Sequence, residues 1–215
     1  MEIVPAERAV EMVAELLRAK PVTPGLSCKV RATDGPGGVG KSALAARVSE
    51  ALGGLPVVHT DDFASWENQF DWYRRLLDQV LRPLADGGPA RYQRFDWERN
   101  VLAEWHEVAP SPFLILEGVS ASREAFRPYL TASVWIHTDR AERLRRGLHR
   151  DGAEALPRWR EWMASEDDNI AREQPDRRAD LIINGESGRG LARTTPRFDR
   201  QVSLHAVRRC TRKAR

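Results

Sequence analysis

Residues 35–42 read Gly-Pro-Gly-Gly-Val-Gly-Lys-Ser, which satisfies the spacing G-x-x-x-x-G-K-[ST] without a mismatch. That spacing performs one kind of chemistry, the cradling of a nucleoside triphosphate. Glycines let the backbone of Gly35, Pro36, Gly37, Gly38, Val39 and Gly40 curl until several N–H groups point at one anion. Lys41 then reaches the β- and γ-phosphates as a point charge, and the Ser42 hydroxyl is placed to ligand Mg²⁺. A helix beginning near Ser42 and Ala43 adds its positive N-terminal dipole.

Acidic groups follow apolar runs at three further places. Asp61 and Asp62 come after Pro56–Thr60, Glu117 after Phe113–Leu116, and Asp139 after Ser133–Thr138. A carboxylate like Glu117 can hold Mg²⁺ beside a triphosphate, or it can simply end a strand with no metal. Asp61 can hold and deprotonate a hydroxyl attacking the γ-phosphate, or it can cap the turn that follows it. Arg143, Arg146 and Arg150 share one helix face at i, i+3, i+7 spacing; that face is either a phosphate clamp or a solvated surface. The segment Arg91–Trp97 mixes aromatic and charged residues. It could stack a planar ring while Arg94 and Asp96 read polar edges, or it could be surface packing. The five histidines show no metal-ligand spacing.

The elements that must position these groups alternate. Strands are predicted over 26–33, 56–60, 113–116, 133–137 and 180–183, with helices over 43–52, 73–84 and 140–150 and around Trp159–Ile170. An amphipathic helix over 5–20 precedes them. Five strands separated by helices imply an α/β fold, a mostly parallel five-stranded sheet covered on both faces as a three-layer sandwich. In such sheets ligands bind beyond the carboxyl ends of the strands, where the glycine loop, Asp61, Glu117 and Asp139 would meet. Lys29 and Arg31 interrupt the first core strand. They are expected either near its ends or on a face less covered than usual.

Composition agrees with a single globular domain over residues 1–185. The chain has 215 residues, 41% hydrophobic and 30% charged, enough to bury a real core. No apolar run approaches a membrane span, and Glu2, Glu7, Glu11 and Glu15 argue against a signal peptide. Two cysteines make neither a disulfide framework nor a metal cluster, so a cytoplasmic location is expected. The formal charge of +3 hides an asymmetry: residues 186–215 carry +7, so residues 1–185 stand at −4. The basic tail is expected to be disordered, and nucleic acid is expected as a partner only through it.

Taken together the motifs resemble the uridine kinase and phosphoribulokinase-like family of P-loop small-molecule kinases. The resemblance rests on Asp34–Ser42, His59–Phe63, Phe95–Trp97, Leu116–Gly118, Arg143–Arg146 with His149–Asp151, and Ala179–Ile183, in the family's order over roughly residues 25–185. It implies a P-loop kinase domain with a helical lid at about 140–175, ATP as donor and Mg²⁺ as cofactor. It also implies Asp61, aligned on Phe63, as catalytic base, and Arg146 and Arg150 as lid arginines acting with Lys41. The acceptor side is implied to involve Asp61, Phe63, Tyr92, Phe95, Asp96 and Arg123. The chain departs from the family at Ala64, where a tyrosine is usual, at Gly152-Ala153, where an Arg-Gly pair is frequent, and at Phe95, which lacks a tyrosine hydroxyl. Lost polar contacts alter acceptor choice more than reaction type. The expected activity is therefore ATP-dependent phosphorylation of a hydroxyl, with the 5′-hydroxyl of uridine or cytidine as leading acceptor. Pantothenate-, sugar- or sugar-phosphate-like acceptors, or a non-kinase nucleotide switch, are the alternatives. The switch is disfavoured because no N-K-x-D guanine-reading motif is present. Homo-oligomerisation is left open.

Overall fold

Six parallel strands form the central sheet of the computed structural model, which describes residues 3–5 and 8–186. They are β1 (Ile3–Pro5), β2 (Lys29–Asp34), β3 (Val57–His59), β6 (Phe113–Glu117), β7 (Leu130–His137) and β8 (Leu181–Asn184), in the order β1-β8-β7-β2-β6-β3. The five expected strands are all present. A sixth is added at the edge by residues 3–5, which pair with Ile182–Asn184. The first helix, α1, accordingly spans Ala9–Ala19 instead of beginning at residue 5. The basic segment 187–215 lies outside the described residues.

Alternation along the strands divides the core in two. Val30, Ala32, Leu114 and Leu116 face one layer, which holds Trp72, Leu76, Val80, Leu81, Leu84 and Phe126. Leu76, Val80, Leu81 and Leu84 come from a continuous helical stretch, α3 (Tyr73–Leu76), a π-helical turn over Leu77–Leu81 and α4 (Arg82–Ala85), with Trp72 just before it, while Phe126 comes from a 3-10 turn over Glu124–Tyr129. Ile115, Val134, Ile136 and Ile183 face the other layer. There α1 and α2 (Lys41–Ala51) bury Ala9, Val13, Leu44, Ala45 and Val48.

The charges on β2 follow neither expectation fully. Lys29 does sit at the strand's start, where its Nζ donates to the Leu17 and Arg18 carbonyls at the end of α1. Arg31 instead stands mid-strand between Ile115 and Ala132 and is 0% exposed. None of its guanidinium nitrogens has a hydrogen-bond partner among the described residues.

A second departure concerns residues 90–108. They form an antiparallel hairpin, β4 (Ala90–Asp96) and β5 (Val101–Val108), set outside the main sheet. Beyond β7, α5 (Arg140–Asp151) and α6 (Leu156–Glu173) pack against each other over the glycine loop. A short helix, α7 (Pro175–Arg178), leads into β8.

Candidate functional site

The glycine loop joins β2 to α2 at the carboxyl end of the sheet. Gly38 has φ +82°, and a Cβ there would lie 2.7 Å from the Arg143 carbonyl, so no other residue fits beneath α5. No N-cap side chain caps α2, which begins at Lys41, so the N–H groups of its first turn are left without a capping side chain. Asp34 anchors the loop's first residues. Its carboxylate accepts the backbone N–H of Gly35, Ser120 and Ser122 at 2.7, 2.9 and 2.8 Å and the Ser122 hydroxyl at 2.7 Å. Lys41 is nearly buried and donates from Nζ to the Pro36 carbonyl at 3.0 Å.

A cavity of about 640 Å³ opens above the loop. Gly37, Gly38, Gly40, Lys41, Ser42 and Ala43 form its floor, while Gly35 packs on the Ile136 carbonyl and Val39 is a core residue. Asp61, Glu117, Arg146 and Arg150 share its walls. Four sites separated by up to about a hundred residues are thus brought together by the parallel sheet, because each lies just past a strand end or on the helices that follow.

Ser42 donates from Oγ to Glu117 Oε1 at 3.2 Å, and His59 Nδ1 lies 2.6 Å from Glu117 Oε2. Burial alone would raise the Glu117 carboxyl, but the His59 hydrogen bond and charge, with Lys41 and Ser42, hold it below the usual range. Burial likewise works against a charged His59, yet Glu117, Asp62 and Asp61 outweigh it and raise the imidazole to about 9. The Ser42 and Glu117 oxygens are hard donors of the type Mg²⁺ takes, and they converge at the foot of the loop. No cluster of three or more His, Cys, Asp or Glu able to hold a metal occurs among the described residues. A pair of protein oxygens suits an ion whose remaining ligands come from phosphate and water.

Asp61 lies on the cavity wall, exposed to its interior. Burial and the neighbouring Glu117 charge raise its carboxyl, with Lys41 and His59 acting in opposition. A carboxylate with a raised affinity for protons is suited to accept one. Asp62 turns away and accepts the Tyr92 hydroxyl at 2.9 Å. On α5, Arg146 donates to Glu142, to the Gly38 carbonyl at 3.4 Å and to the Gly185 carbonyl at 2.9 Å. Arg150 is held by Asp151 and lies over the Trp159 ring. Arg143, placed by spacing on the same face, is buried and paired with Glu166 at 3.4 Å instead.

The other residues expected on the acceptor side do not reach the cavity wall. Phe63 is a core residue stacked on Tyr92 at 5.0 Å. Phe95 is buried with its ring edge-on to Trp97. Asp96 is occupied by the backbone N–H groups of Glu98 and Arg99 and by Arg94. Arg123 is buried over the Tyr73 ring and donates to the Phe70 carbonyl at 2.6 Å. Alternation puts Tyr92 on the hairpin's inner side, and Asp96 caps the turn that reverses it.

Trp66, Trp97, Trp159 and Trp162 line the cavity in their stead, together with Asp151 and Arg158. Helical spacing of Trp159, Trp162 and Glu166 puts them on one face of α6. Nothing local in the sequence marks Trp66, which sits in the irregular stretch after β3.

No protein-family model and no curated protein matches the sequence. Solved structures do match it. One is a possible uridine kinase from Bacillus stearothermophilus, 20% identical with a TM-score of 0.63, covering 82% of this chain and 98% of its own. Another is a candidate fructose transport system kinase from Silicibacter sp. TM1040, 18% identical with a TM-score of 0.55, covering 81% and 97%. The chain therefore has the three-layer P-loop α/β fold of these proteins.

Proposed function

We propose that the protein is a P-loop kinase of the uridine kinase-like type, transferring the γ-phosphoryl group of ATP to a hydroxyl of a small molecule. The observation that carries this reading is that Asp61 shares one cavity with Lys41, Ser42, Glu117, Arg146 and Arg150. Loop N–H groups and Lys41 hold the β- and γ-phosphates, and Arg146 and Arg150 neutralise charge spread over the transferring oxygens. Ser42 and Glu117 would hold Mg²⁺, which when bound screens the phosphate oxygens. Asp61 takes the hydroxyl proton as the acceptor oxygen bonds to the γ-phosphorus. The bridging oxygen leaves with ADP. The leading acceptor is the 5′-hydroxyl of a pyrimidine nucleoside, with a sugar the main competitor given the two structural likenesses.

A coupled ADP-release assay across nucleosides, pantothenate, sugars and sugar phosphates tests the reading. Acceptor-dependent ADP release is expected. Slow ADP release indifferent to every acceptor would identify a hydrolytic switch instead.

A further inference from the structure

Trp66, Trp97 and Trp162 come from the loop after β3, the end of β4 and the middle of α6, yet they meet at one corner. Their ring centroids lie 5.2, 6.0 and 5.8 Å apart, at interplanar angles of 88°, 83° and 77°. The corner adjoins Asp61, because Trp97 donates its indole N–H to the Asp61 carbonyl at 2.9 Å. Trp162 donates to Glu166 one turn further along α6 at 2.6 Å, which fixes its indole against the helix. Trp66 is 39% exposed, a large apolar ring left open beside polar chemistry. The Arg158 guanidinium lies over its face at 5.3 Å and has no ion-pair partner among the described residues. The described residues lining the cavity include no Asn, Gln, His or Tyr. The cavity does carry charged groups such as Asp61, Arg150, Asp151 and Arg158, but the corner itself presents three indole rings with Arg158 beside them, a surface that matches a planar ring better than a hydroxyl-rich one.

We propose that this corner is the acceptor-binding site, and that it selects alcohols carrying a planar unsaturated ring whose carbonyl or anionic edge meets Arg158. The hydroxyl arm of such an acceptor points along Trp97 toward Asp61. The proposal rests on the phosphotransfer reading of the same cavity but transfers acceptor selection from the Tyr92–Asp96 strand to Trp66, Trp97 and Trp162. Trp66 is the discriminating residue, since it is the most exposed of the three rings and, unlike Trp97 and Trp162, its indole N–H makes no hydrogen bond among the described residues.

The test compares wild type, Trp66→Leu and Trp66→Phe. It uses uridine, cytidine and fructose in the ADP-release assay, and calorimetric titration of uridine in the presence of a non-hydrolysable ATP analogue. Loss of one stacking face should raise KM for the ring-bearing acceptor about tenfold in Trp66→Leu, with kcat within about twofold, and Trp66→Phe should recover most of the loss. Turnover of a nucleoside with an unchanged KM in Trp66→Leu overturns the corner while phosphotransfer stands. Turnover of fructose alone overturns the ring class. If no acceptor is turned over here or across nucleosides, pantothenate, sugars and sugar phosphates, the phosphotransfer reading fails. Uridine binding lost in Trp66→Leu would then still support the corner, and absence of uridine binding to wild type would overturn it.

Discussion

Glu166 Oε1, on α6, accepts the backbone N–H of Gly37 in the phosphate loop at 2.7 Å. The same carboxylate accepts the Trp162 indole N–H and faces Arg143, and it is fully buried. It fastens α5 and α6 to the loop, and it sets a negative charge within the field of Lys41, where a triphosphate would also bind. Burial pushes this carboxyl up, against Lys41, Gly37, Arg143 and Trp162. Removing the charge while keeping the shape should therefore favour the nucleotide. Glu166→Gln is expected to bind Mg-ATP roughly five- to tenfold more tightly, about 1 kcal/mol of relieved repulsion, read by calorimetry. Weaker binding would mean that fastening the loop outweighs the repulsion.

Asp61→Asn keeps the side chain's size and removes its basicity. Turnover should fall about 10²- to 10⁴-fold while KM for ATP stays within about twofold, because the phosphate cradle is untouched. Steady-state kinetics with a saturating acceptor would decide it, and retained activity would remove Asp61 as the base.

At Gly147 the helices α5 and α6 touch. A Cβ there would lie 2.3 Å from ring carbons of Trp159, so Gly147→Ala must push α6 away from α5. Overpacking of this kind costs about 1–3 kcal/mol, lowering Tm by roughly 2–4 °C for each kcal/mol in a chain of this size. Since Arg146 and Arg150 flank the contact, kcat should fall more than ATP affinity. Thermal unfolding and kinetics on the same preparation separate the two effects.

Arg31 places a guanidinium with no hydrogen-bond partner among the described residues between β2 and the layer of α1 and α2. Replacing a buried charge by an apolar side chain of similar volume commonly stabilises by about 1–4 kcal/mol, so Arg31→Met should raise Tm. The effect has a pH signature. Burial lowers the Arg31 pKa to about 9, so above that pH the folded protein gives up a proton the unfolded chain still holds. Stability of the natural protein then rises with pH relative to the variant. The advantage of Arg31→Met should be full below pH 9 and shrink above it. Denaturant unfolding at pH 7 and pH 10 checks this, and a gap that widens with pH would contradict it.

The phosphate loop and the three-layer sheet were legible in the sequence for a common reason: both are encoded by neighbours. A glycine loop binds anions with contiguous backbone, and a strand announces itself by a short apolar run whose end locates Asp61 and Glu117. Three features escaped that logic. Residues 3–5 became a strand through pairing with β8, and the hairpin over 90–108 depends on packing of its inner face, including Tyr92, against the helical layer. The buried Arg31 shows that a charge on a core strand did not mean a solvent-facing side. The walls of the cavity were decided by tertiary structure alone. Phe63, Phe95, Asp96 and Arg123 are spent on packing and hydrogen bonds that no local pattern displays. Trp66, Trp97 and Trp162 meet only after three segments, up to about a hundred residues apart, are folded onto one sheet edge. Side-chain type and spacing thus set the glycine loop and its neighbouring carboxylates, whereas the walls of the cavity arise from long-range contacts that have no period along the chain.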